Sequence, residues 1–177
     1  RHQIVLAVDY RFGEGRDYNG PIIGNANILE NFGVNFVVNG NSGTPYTRRV
    51  QAYAITAGNT SVPITGQVNG SRLPFQTRVD MTVNKVWNYK YKDSDRRGSF
   101  EVYLQVQNLL DARNVLGVYA YTGSPEDDGY LTSPQGQAAI QFQTNAQSYV
   151  DLYNVSMANP GFFTLPRRMR LGIRIGF

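Results

Sequence analysis

The last eleven residues, 167–177, constrain this chain more than any other stretch. Met169, Leu171, Ile173, Ile175 and Phe177 share one parity. Arg168, Arg170, Gly172, Arg174 and Gly176 share the other. Successive strand side chains point to opposite faces, so the segment has one apolar face and one cationic face. The apolar parity runs to the last residue, an aromatic one, with no polar tail behind it.

Four earlier segments repeat the alternation. In residues 3–12, Ile4, Leu6, Val8, Tyr10 and Phe12 oppose Val5, Ala7, Asp9 and Arg11. In 31–39, Phe32, Val34, Phe36 and Val38 oppose Gly33, Asn35, Val37 and Asn39. In 77–87, Val79, Met81, Val83 and Trp87 oppose Arg78, Asp80, Thr82 and Asn84, with Lys85 interrupting the apolar parity. In 100–110, Phe100, Val102, Leu104 and Val106 oppose Glu101, Tyr103, Gln105 and Gln107. A ten-residue strand reaches about 33 Å, enough to cross a thin membrane when tilted. Tyr10 and Phe12 end the first apolar run, and Trp87 and Tyr89 end the third, as an interface girdle would.

Composition agrees with strands. The chain is long enough for one domain with a sizeable core, at 177 residues. Mean hydropathy is −0.37, and no apolar run of about 18 residues is present to make a membrane helix. Membrane strands alternate, so that absence leaves a barrel open. Twelve Tyr and nine Phe favour strands, and eighteen Gly favour turns. With no Cys, disulfides and thiolate metal sites are excluded. A net charge of +4 suits a solvated or lumen surface. No basic cluster interleaved with aromatics suggests nucleic-acid binding.

The connections differ in length. Residues 13–30 carry two short apolar pieces, Pro21-Ile22-Ile23 and Ile28-Leu29, expected as a short helical or packed segment. Residues 40–74 open on a turn cluster and contain an expected excursion hairpin over 52–68. Residues 88–99 form a short charged turn. Residues 111–165 are longest, with one helix expected after the Ser133 N-cap and Pro134, and a second over 145–157. Barrels carry short turns on the periplasmic side and long loops outside. Strand alternation puts 40–74 and 111–165 on one side, the extracellular one. Single-chain bacterial barrels use an even number of strands from about 8 upward. Five are too few, and an open edge cannot face lipid. The chain starts at Arg1-His2 without initiator Met or signal peptide. These points predict a piece of a longer, exported protein. The expected fold is all-β: an antiparallel transmembrane β-barrel segment with two long loops, the second partly helical.

Several motifs sit in order along this frame. They are Ser42-Gly43-Thr44-Pro45-Tyr46-Thr47, Arg78-Val79-Asp80-Met81 and Val106-Gln107-Asn108-Leu109-Leu110-Asp111. They continue with Tyr121 to Tyr130, Leu165-Pro166-Arg167-Arg168 and the terminal Phe177. With these motifs the chain resembles the C-terminal part of a TonB-dependent outer-membrane receptor of the Bacteroidota type, the Oar-like and SusC-like group. The resemblance implies about 22 strands, a plug, a Gram-negative outer-membrane location and energised uptake of a large nutrient. It implies as partners the rest of the barrel and plug, TonB through an N-terminal region, the barrel-assembly machinery and lipid. A surface lipoprotein or other outer-membrane subunits are further candidates. It casts Ile173, Ile175 and Phe177 as an assembly signal. No plug or TonB box is present in this sequence, so it does not transport alone.

Candidate sites follow from residue type. Arg168, Arg170 and Arg174 read as lumen charges paired with neighbours such as Glu101 and Asp80, or as attraction for an anionic substrate. Arg174 is expected beside Glu101. Tyr119, Tyr121 and Tyr130 offer a ligand surface, or anchors that pack a long loop, together with Tyr149 and Tyr153. Asp127 and Asp128 sit on an acidic turn whose oxygens would suit Ca²⁺, but without EF-hand spacing the turn reads as solvated. No catalytic set and no cofactor motif is visible, and His2 is the single His. The chain therefore reads as non-enzymatic. Two alternatives stay open beside transport. One is a structural or protein-interaction barrel subunit; the other is a secreted β-sandwich whose apolar faces meet in a closed core.

Overall fold

A computed structural model describes residues 2–24, 26–55, 62–90 and 97–177. The protein is mostly antiparallel β-sheet with few helices, and no helix among the described residues is long and apolar enough to cross a membrane. Five long strands appear: β1 Gln3–Arg11, β2 Phe32–Asn41, β3 Gln76–Lys90, β4 Arg97–Gln107 and β5 Arg168–Gly176. They form one sheet in chain order, with β1 and β5 at its edges. Two helices follow β4: α1 Pro134–Gln141 and α2 Ala146–Met157. The chain divides into two compact units. The sheet unit holds His2–Gly40, Thr77–Ala112 and Leu165–Phe177, and the loop unit holds Asn41–Gln76 and Arg113–Thr164.

Register explains the faces of the sheet unit. Antiparallel pairing sets Phe100, Val102, Leu104 and Val106 opposite Ile175, Ile173, Leu171 and Met169. The same residues meet Trp87, Lys85, Val83 and Met81 on the other side of β4. This face is therefore apolar, and at the edge strands it lies open: Ile4 is 61% and Leu171 73% exposed. Among the described residues, Val106, at 2%, is the one buried hydrophobic residue of the sheet unit. The opposite face carries Glu101 against Arg174, Gln105 against Arg170 and Gln107 against Arg168. Gly172 faces Tyr103 there, and a Cβ at Gly172 would lie 2.4 Å from the ring, so this position favours glycine.

Three expectations need correction. Strand β4 ends at Gln107, short of Leu110, because Asn108 turns the chain at φ 56°. Strand β3 runs on to Lys90, pairing with Arg97. Residues 13–30 contain a 3₁₀ turn at Gly15–Asp17 and a two-residue ladder, Ile22–Ile23 with Ala26–Asn27. Of the charged turn, 91–96 lie outside the described residues.

The loop unit is built differently. Ser133 accepts from Gly136 N at 3.1 Å and Asn145 from Ser148 N at 3.0 Å, so both helices start on side-chain caps. Pro45–Tyr46 pairs with Ser71–Arg72, and Arg49 bridges Ile64. The first of these pairs flanks the excursion hairpin expected over 52–68, and the second reaches into it; within that span 56–61 lie outside the described residues. Gly43 lets the flanking segments close, since a Cβ there would sit 2.2 Å from the Leu73 carbonyl oxygen. Among its described residues, the buried hydrophobic ones are Ala52, Val62, Leu73, Tyr153 and Met157.

Candidate functional site

Two places gather the predicted residues: the polar face of the sheet and a cavity in the loop unit. On the sheet, Arg174 Nη1 donates to Glu101 Oε2 at 2.6 Å, as the adjacent strand ends led us to expect. Asn84 donates to the other carboxylate oxygen at 2.9 Å. The Arg174 guanidinium also lies 5.6 Å from the Tyr103 ring centroid. Three neighbouring strands are thus tied through one carboxylate. Asp80 does not meet an arginine of β5, because β4 lies between β3 and β5. Its partner is Arg78, 2.6 Å away on its own strand. Arg168 and Arg170 line a pocket with Gln105, Gln107 and Met169.

Asp80 has a second task that the sequence did not reveal. Its Oδ1 accepts from Asn108 N at 2.9 Å. The buried Asn108 accepts from Ala112 N at 2.9 Å and donates to the carbonyls of Ala112 and Leu165, each at 3.1 Å. Asp111 accepts from Arg167 N at 2.7 Å. The Asn108-to-Asp111 motif therefore fastens the end of β4 to the approach of β5. Its positive φ and its side-chain bonds both suit asparagine.

The aromatic residues named for a girdle cluster with others. Tyr10 and Phe12 pack edge to face at 5.1 Å, Phe12 and Phe32 lie 6.5 Å apart, and Trp87 and Phe100 5.7 Å apart. Tyr89 covers Gly98, its partner across β4. Phe12 N donates to Phe32 O and Val86 N to Asn31 O, so these residues share one end of the sheet. Phe32 and Phe100 were not singled out from sequence, though their parity matched. Lys85, the charge on the apolar parity, donates to the carbonyls of Ile28 and Glu30 and lies 5.6 Å from the Trp87 ring. Ile173 and Ile175 stand exposed, and Phe177 is 96% exposed.

In the loop unit, Tyr119 and Tyr121 line a cavity of about 180 Å³ with Ala52, Tyr53, Ile55, Ala120 and Asp128. Tyr130 is not in its wall; it stacks on Tyr153 at 5.3 Å. Tyr149 flanks Tyr153 at 6.3 Å. Asp128 is buried, 6% exposed. Its Oδ1 accepts from Tyr130 N at 2.9 Å, and its Oδ2 from the Tyr153 hydroxyl at 2.5 Å. Ile55 N donates to that same hydroxyl at 3.1 Å. Burial, then the hydrogen bond to the carboxylate, pushes the Tyr153 hydroxyl well above its ordinary pKa. Burial, then the nearby Asp128 charge, also raises Tyr119.

The other turn carboxylates have partners too. Asp127 accepts from Gly129 N at 2.7 Å, and Glu126 pairs with Arg113 at 3.2 Å. Among the described residues, no group of three or more acidic or histidine side chains is gathered. Tyr53, Ile55 and Ala52 gave no signal in sequence, because they reach the cavity from far along the chain.

No family model, curated protein or solved structure matches the chain.

Proposed function

We propose that this chain forms part of the membrane-spanning barrel of a TonB-dependent outer-membrane receptor and takes part in energised uptake of a large nutrient. One observation carries the membrane part of this reading. The sheet leaves its apolar face open while its polar face is knitted by Asn84, Glu101 and Arg174. In water that arrangement wastes hydrophobic driving force, at about 1.5–3 kcal/mol per large side chain left unburied. Against lipid tails it is the expected one, with the polar face toward a lumen. The aromatic end of the sheet, with Lys85 beside Trp87, has the chemistry of a headgroup-level belt. The strand count requires further strands to close the barrel. The uptake part rests on the motif resemblance.

A second reading is a scaffold or protein-interaction barrel. The exposed apolar side chains Phe142, Leu152 and Val155 favour it, since they could receive a protein partner. Membrane fractionation followed by uptake assays tests both. The barrel reading expects the protein to resist carbonate and to need detergent for release. Release without detergent contradicts it and favours the soluble sandwich. Uptake that stops when the inner membrane is de-energised supports transport; normal membrane insertion with no uptake defect on deletion supports the scaffold.

A further inference from the structure

We propose that the loop-unit cavity binds the cationic head of an alkylammonium ligand, with Asp128 as its counter-charge. Among the described residues the wall is formed by Ala52, Ile55, Ala120, Tyr53, Tyr119 and Tyr121, with Asp128 as its charged group. Asp128 is almost wholly buried, yet among the described residues no ion pair includes it. Its two donors, Tyr130 N and the Tyr153 hydroxyl, occupy about half of the roughly four lone-pair positions of a carboxylate. A cation entering here meets a buried carboxylate that no ion pair among the described residues already satisfies.

The two arginines of this segment do not supply that cation. Arg48 donates to the Tyr121 carbonyl at 3.3 Å. Arg49 donates to the Val62 carbonyl at 3.1 Å and lies over the Tyr53 ring at 5.8 Å. Neither lines the cavity. Because Arg49 already occupies Tyr53, the rings of Tyr119 and Tyr121 carry the attraction for a guest. Tyrosine faces attract cations through the ring quadrupole, most strongly away from water. Tyr121 is 40% exposed, which leaves a way in.

Size and sign narrow the class. A cavity of about 180 Å³ far exceeds the roughly 10–15 Å³ that one water needs, so a small organic head group fits. An anionic group would meet Asp128 and be repelled. A neutral polyol could hydrogen-bond the carboxylate but would leave its charge unmatched. A quaternary or alkylated ammonium satisfies both the charge and the aromatic wall. This inference does not rest on the barrel reading, since every residue it uses belongs to the loop unit.

The test is calorimetric titration of the full protein in detergent with choline and with 3,3-dimethylbutan-1-ol, which has the same shape without the charge. Choline should bind, and the neutral analogue should bind about tenfold more weakly or not at all. Asp128→Asn should weaken choline binding about tenfold or more. Tyr121→Ala, at an exposed ring, should weaken it about threefold to tenfold. Folding of each variant is checked by protease resistance of the loop unit. If Asp128→Asn misfolds, Tyr121→Ala with the two probes still decides the matter. Equal binding of both probes, no binding of choline to folded protein, or unchanged affinity in a folded variant overturns the proposal. A protein that binds choline yet leaves the membrane without detergent would sink the barrel reading alone.

Discussion

The sheet unit leaves Ile4, Leu171 and Ile173 exposed and ties Glu101 of β4 to Arg174 of β5 on its polar face. The loop unit does the reverse: it buries Ala52, Val62, Leu73, Tyr153 and Met157 around its own polar anchor. The loop unit thus has a small core of its own, although Phe142, Leu152 and Val155 stand outside it. The sheet unit keeps its apolar face open at the edge strands, an arrangement that the proposed lipid contact accounts for. That contrast, more than any one residue, is what the barrel proposal explains.

Matched substitutions of exposed leucines break the comparison most directly. Leu171→Arg on the sheet should cost about 2–4 kcal/mol in lipid vesicles, with the charge held near the bilayer middle. Leu152→Arg on α2 should stay within about 0.5 kcal/mol, because that exposed leucine faces water. Urea unfolding in vesicles gives both values. Similar small effects at the two positions would erase the distinction.

Asn108→Ala comes next, at about 2–3 kcal/mol, since it orphans buried partners at the β4–β5 joint. The loss should appear as easier detachment of β5 by hydrogen exchange, while loop-unit protection holds. Tyr153→Phe should cost the loop unit about 1–2 kcal/mol by stripping Asp128 of a donor and Ile55 N of its acceptor. It should also change the alkaline limit. The Tyr153 pKa is raised in the folded state, so its contribution is whole below about pH 10 and fades as pH rises further. The variant should lose that alkaline sensitivity in a pH series of limited proteolysis. Ser133→Ala should show a modest effect, about 1 kcal/mol, as local fraying of α1.

Legibility differed between the same two regions. In the sheet, parity alone assigned Leu104, Leu171 and Ile173 to one face and Glu101 and Arg174 to the other, because a strand has only two faces. The Arg174–Glu101 pair followed from the order of adjacent strands. Ser133-Pro134 and Asn145 marked the helix starts because capping is local chemistry. The partner of Asp80 and the bonding of Asn108 were not legible. They depend on which strand intervenes and on a turn only two of whose residues show their need for positive φ. The cavity was half legible: Tyr119 and Tyr121 stood out by type, whereas Tyr53, Ile55 and the burial of Asp128 arise from contacts distant in sequence. Lys85 looked like a flaw in an apolar run, and proves to be a side chain with two carbonyl acceptors at the aromatic end.

The chain has no native cysteine, so single cysteines can be placed along β5 and spin-labelled in the membrane-embedded protein. Labels at 169, 171, 173 and 175 should be reached by oxygen dissolved in lipid. Labels at 168, 170 and 174 should be reached instead by a water-soluble relaxation agent. A two-residue period in that scan is the result expected of a lipid-facing strand. Uniform access by the water-soluble agent, or no alternation at all, would contradict it.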